Sequence, residues 1–69
     1  MNQNALPLIT EREKQVLKLT AAGLTNKEVA QSLGITPRTV EFHLRKIFMK
    51  LNVTCRTAAS VVAEKMGLL

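Results

Sequence analysis

Apolar residues in this chain recur at intervals of three and four. Val16, Leu17, Thr20 and Ala21 do so in one stretch and Val29, Ala30 and Leu33 in a second, while Val40, Leu44, Ile47, Phe48 and Leu51 form a stripe in a third. That is the helical period, and no segment alternates with the period of two that a half-buried strand shows. The punctuation agrees. Thr10-Glu11-Arg12-Glu13 and Thr25-Asn26-Lys27-Glu28 fit the capping box, with Thr ahead of the first helical residue and Glu at its third. Thr36-Pro37 starts a further helix, because a proline at the first helical position forgoes only an N–H that has no partner there. Thr54 can cap a fourth. Gly23, Gly34, Asn52 and Gly67 each follow a helical run and enter the left-handed conformation that ends one. The pattern predicts an all-α, four-helix domain with helices over about 11–22, 26–33, 37–51 and 55–66. Ile9, Leu24 and Ile35 lie between helices and can plug the ends of the core. Residues 1–6 read as a disordered tail and 7–69 as the domain.

Sixty-nine residues form one small domain with a thin core and no room for a deep substrate pocket. No stretch approaches the ~20 apolar residues of a membrane-spanning helix, so no membrane partner is expected. The N-terminus lacks the regions of a signal peptide, and the single cysteine, Cys55, forms no internal disulfide. The expected location is cytoplasmic. The net charge of +5 is uneven. Residues 36–69 hold Arg38, Arg45, Lys46, Lys50, Arg56 and Lys65 against Glu41 and Glu64, whereas basic and acidic residues nearly balance in 1–35. A basic half suits a polyanionic partner, or simply a soluble surface.

The turn between the second and third helices sharpens the choice. A short helix, Gly34-Ile35-Thr36 and a longer helix follow the grammar of a helix-turn-helix, whose second helix enters the major groove of DNA. At about 100° per residue, the side of the third helix opposite its apolar stripe carries Arg38, Phe42, Arg45, Lys46 and Met49. A helix built only for a core would put polar residues at positions 42 and 49. Phe42 can touch a thymine methyl and Arg45 can bond guanine through two donors. Lys27, Lys46 and Lys50 suit phosphates, as do the free N–H groups at the start of the second helix, around Thr25 and Asn26. The plainer reading has Phe42 and Met49 packing on a neighbouring helix. His43 falls on the flank between stripe and outer face, as a phosphate donor or as a packing residue.

The fourth helix is apolar over about 200° of its circumference, through Ala58, Ala59, Val61, Val62, Ala63 and Met66. One core contact needs roughly half of that. The surplus points to a homodimer across a two-fold axis, with Ala58, Ala59, Val62 and Met66 at the interface; deeper burial within the chain is the alternative. Ser60 and Glu64 fall on the solvent side. No catalytic constellation, metal-ligand spacing or phosphate-binding glycine loop is present, so neither an enzyme nor a bound cofactor or small-molecule ligand is expected. Cys55 at a helix start leaves redox sensing open, against the simpler reading of a small first-turn residue.

Ile9-Thr10-Glu11-Arg12-Glu13, Gly23 through Ala30, Ile35-Thr36, Thr39-Val40, His43-Leu44, Ile47, Lys50-Leu51 and Arg56-Thr57 with Ala59 resemble the LuxR-type (GerE-like) helix-turn-helix domain. The resemblance covers about residues 8–66, and Leu24 through Ala30 is its most specific string. It implies a bacterial transcription regulator that binds operator DNA as a dimer through the fourth helix. It implies that the third helix reads bases, and that Lys27, Thr39, His43 and Lys50 lie near the phosphate backbone. The base-reading positions fall on Glu41 and Phe42, with Arg45 next. Glu41 stands where lysine is commoner; it would repel phosphate but can accept from cytosine N4. Asn52 stands for the usual glycine. Family members usually carry a sensing domain as well, so the chain reads as a stand-alone regulator or as an effector domain, with RNA polymerase as a possible partner. Two rival readings are a promoter-binding module like sigma-factor region 4 and a protein-interaction module that has lost DNA binding.

Overall fold

The computed structural model describes residues 8–69, so the expected tail over 1–6 lies outside the described residues. Four helices follow one another: α1 (Glu11–Ala21), α2 (Asn26–Leu33), α3 (Pro37–Leu51) and α4 (Arg56–Lys65). The expected architecture is present, with α1 and α4 slightly shorter than their sequence signals. Both capping boxes form. The Thr10 hydroxyl accepts from the Glu13 N–H while the Glu13 carboxylate accepts from the Thr10 N–H, and Thr25 and Glu28 make the same exchange. The Thr36 hydroxyl accepts from the Thr39 N–H ahead of Pro37.

The fourth cap differs from expectation. Cys55, not Thr54, precedes the first helical residue, and its side chain makes no capping bond. Thr54 stands one position too early for its hydroxyl to act as the cap.

All four helices close alike. The N–H groups of Leu24, Ile35, Val53 and Leu68 bond back to the carbonyls of Leu19, Ala30, Phe48 and Ala63. Each of the four follows a residue with positive φ, among them Gly34 at 71° and the non-glycine Asn52 at 58°. The left-handed residue turns the chain, and the apolar residue after it folds back onto the core. Leu24 and Ile35 thus plug the core as expected, and Val53 and Leu68 do the same.

α1 and α3 form the central pair, and α2 and α4 each pack on both. Val16, Leu17, Val29, Val40 and Ile47 are fully buried between them, joined by Ala59 and Ala63 of α4. This buries the inward stripe of α3 and leaves its opposite side uncovered.

Candidate nucleic-acid interface

Phe42 is 57% exposed and Met49 78% exposed, both on the uncovered side of α3. The plainer reading, in which they pack on a neighbouring helix, does not hold. Arg38, Glu41, Phe42 and Arg45 line one open cleft, so the four expected base-contacting residues come together. The Lys46 ammonium lies 5.2 Å from the centroid of the Phe42 ring, where the negative face of the ring attracts it. That contact orients the ring without burying it. Glu41 sits three residues after Arg38 and four before Arg45 and forms an ion pair with neither. Its carboxylate remains open to an outside donor.

The phosphate set divides. Lys27 is exposed at the first turn of α2. Thr25 is exposed, with its hydroxyl committed to the cap. The Asn26 side-chain oxygen accepts from Nη1 of Arg56 at 2.6 Å, and Nη2 of Arg56 donates to the Leu24 carbonyl at 2.7 Å. Thr39 is half-buried, its hydroxyl 2.9 Å from that of Thr36. His43 is half-buried too, and its Nδ1 is buried with no partner among the described residues. A ring so placed can offer only Nε2 to a ligand.

Lys50 departs from expectation. Its ammonium donates to the Glu13 carboxylate at 2.7 Å and to the Leu8 carbonyl at 2.8 Å. Two of its three donors therefore go to Glu13 of α1 and to Leu8 ahead of that helix, which leaves one for a phosphate. Ala59 departs as well: it is fully buried in the core of its own chain, at the helical spacing from Ala63 that brings α4 onto α1 and α3. It has no surface to offer a partner. Ala58 and Val62 are half-buried, while Met66 and Val61 are exposed, at 37% and 47%. The apolar surplus of α4 is thus real. Glu64 is exposed as expected, whereas Ser60 is half-buried and donates to the Arg56 carbonyl.

Glu13, Arg56 and Val61 take roles that their sequence patterns did not assign, and two of them left a signal. Glu13 shares the spacing of Val16, Leu17 and Thr20, which puts it on the buried stripe. Arg56 is a cation at the first position of a helix, the end where the helix dipole disfavours it, so its placement needs another cause. Val61 left none, because the apolar arc of α4 does not itself say which part is outermost.

The fold and the outward basic face of α3 define a helix-turn-helix of the DNA-reading kind. A model of the luxR family of bacterial regulatory proteins matches residues 7–63. The chain is 48% identical over 61 residues to the transcriptional activator protein AnoR of Acinetobacter nosocomialis, covering 88% of this chain and 26% of AnoR. It superposes with a TM-score of 0.87 on the response regulator ChrA of a heme-sensing two-component system, at 37% identity, covering 90% of this chain and 31% of that one. It superposes with a TM-score of 0.80 on the DNA-binding domain of the response regulator ComA, solved in complex with the anti-activator RapF, at 40% identity, covering 83% and 98%. The chain spans less than a third of the length of AnoR and of the other first curated relatives it matches. It belongs to the luxR family of bacterial regulatory proteins, as a DNA-binding transcription-regulator domain. That is not an enzyme class, and it sets aside the sigma-factor reading. No described helix is long and apolar enough to cross a membrane.

Proposed function

We propose that this chain reads operator DNA by laying α3 in the major groove, and that two copies joined through α4 occupy paired half-sites. One observation carries the first part: Arg38, Glu41, Phe42 and Arg45 share one open cleft on the side of α3 that faces away from the core. The B-form major groove is about 12 Å wide and admits a helix. In it Phe42 meets a thymine methyl, Arg38 and Arg45 bond guanine, and Glu41 accepts from cytosine N4. Lys27, Lys46, Thr39, His43 through Nε2, and the α2 start at Thr25 and Asn26 hold the backbone, which supplies affinity without sequence information. Lys50 keeps α3 attached to α1.

The exposed Val61 and Met66 with the half-buried Ala58 and Val62 support α4 as the homodimer contact. The working location is the cytoplasm, at the chromosome. Contact with RNA polymerase would follow from a role in activation. A protein partner is a second reading, favoured by one observation: the similar ComA domain was solved bound to an anti-activator. It adds to DNA binding rather than replacing it.

Selection of bound duplexes from a random pool tests the proposal. Recovered sites should share two half-sites about 10 bp apart centre to centre, or a multiple of that. Phe42→Ala should weaken binding to the recovered site far more than to random duplex. Equal weakening on both would remove Phe42 from base reading, and a pool that yields no shared motif would overturn the proposal.

A further inference from the structure

Arg56 belongs to α4, yet its guanidinium serves α2. It is half-buried, and no carboxylate pairs with it among the described residues. Its Nη1 and Nη2 donors go to Asn26 Oδ1 and to the Leu24 carbonyl, the two acceptors on either side of Thr25, the cap of α2. The planar fork of arginine matches two acceptors held in fixed geometry, which an ammonium cannot do.

Resting on the DNA-reading proposal above, we propose that Arg56 is a positioning residue for the phosphate seat at the start of α2. By binding Asn26 Oδ1, it fixes which way the carboxamide faces and leaves the Nδ2 donors free. The N–H groups of Asn26 and Lys27, the first two of α2, bond to no acceptor among the described residues, so the same helix start adds them to the carboxamide. Arg56 also brings a positive charge, in no ion pair among the described residues, to a helix end whose first turn holds the capping Glu28. Asn26 and Arg56 line one cleft with Glu41 and Arg45, so the seat adjoins the base-reading side of α3. The bond from α4 to α2 therefore ties the helix proposed to join two copies to the helix proposed to grip the backbone.

The test uses the duplex recovered by selection with the wild-type protein, with a neutral methylphosphonate placed at one linkage at a time. Wild-type protein should lose about tenfold in affinity at the linkage seated on α2, the size expected for charge-assisted hydrogen bonds. Asn26→Ala should bind the intact duplex about tenfold more weakly and become indifferent to the modification at that linkage. Arg56→Lys keeps the charge and the aliphatic stem but not the fork. It should become indifferent at the same linkage, keep its sensitivity at linkages facing Lys46, and lose nothing further when combined with Asn26→Ala. A merely structural Arg56 would weaken all linkages alike.

Full wild-type sensitivity in Arg56→Lys at that linkage would overturn the proposal, as would an Asn26→Ala that erases sensitivity nowhere. If circular dichroism shows Arg56→Lys unfolded, Arg56→Gln, which keeps an amide donor but neither the charge nor the fork, takes its place in the same comparison, and full sensitivity at that linkage again overturns the proposal. A wild-type protein that takes up no duplex would defeat the DNA-reading proposal itself, and this one with it.

Discussion

Glu13 shows how one side chain can serve a helix end and a core at once. It is 1% exposed, closes the capping box of α1, and meets Lys50 of α3. Burial alone would push its carboxyl up. The hydrogen bonds from Lys50 and the Thr10 N–H, with the Lys50 charge, outweigh burial and hold it below the ordinary value. A carboxyl lowered in the folded state stabilises the fold at pH above its unfolded value of about 4.3, and that contribution is lost as the pH falls through the folded value. Glu13→Gln should therefore cost about 2 kcal/mol at neutral pH, in the range for a hydrogen bond to a charged group. Denaturant melts of both proteins from pH 7 downward should show the gap closing below about pH 4. A gap independent of pH would mean that the carboxylate charge contributes nothing. The α1 cap was legible in the sequence because it is a local pattern; the link to Lys50 was not, because it joins residues 37 positions apart.

Helix ends are where sequence and structure agree best here. Capping boxes and left-handed stops act over three to five residues, so Thr10, Thr25, Thr36, Gly34 and Asn52 could be placed from spacing alone. The period of α3 likewise fixed its two sides, and the cleft of Arg38, Glu41, Phe42 and Arg45 follows from that. α4 was harder. Its small apolar residues cover so much of the circumference that the pattern does not say which alanine faces inward, and packing on α1 and α3 chose Ala59 and Ala63. The half-buried Val62 also packs on the core, so a charge there would disturb the fold as well as any partner. Val61→Asp is the cleaner probe. It should leave the melting curve within about 0.5 kcal/mol, as surface changes usually do. On a duplex with two half-sites it should abolish paired occupancy while single-site binding survives, as sedimentation would read. Unchanged paired occupancy would place the dimer contact elsewhere.

At the scale of the molecule, a compact core of four helices holds one basic side outward. The excess of positive charge lies in 36–69, the half that contains α3 and α4; in the proposed binding mode it supplies attraction to any duplex, and the shared cleft on α3 supplies discrimination. These two contributions respond differently to salt and to mutation. The most direct test of the account is titration of a fluorescent duplex bearing the selected site, followed by anisotropy from low to physiological ionic strength. Wild-type affinity should fall linearly on logarithmic axes as salt rises. Lys46→Ala should flatten that slope by about one, whereas Phe42→Ala should lower affinity without changing the slope. A protein that binds no duplex even at low ionic strength, or one whose affinity survives Phe42→Ala and Arg45→Ala intact, would contradict the claim that α3 is the element that reads DNA.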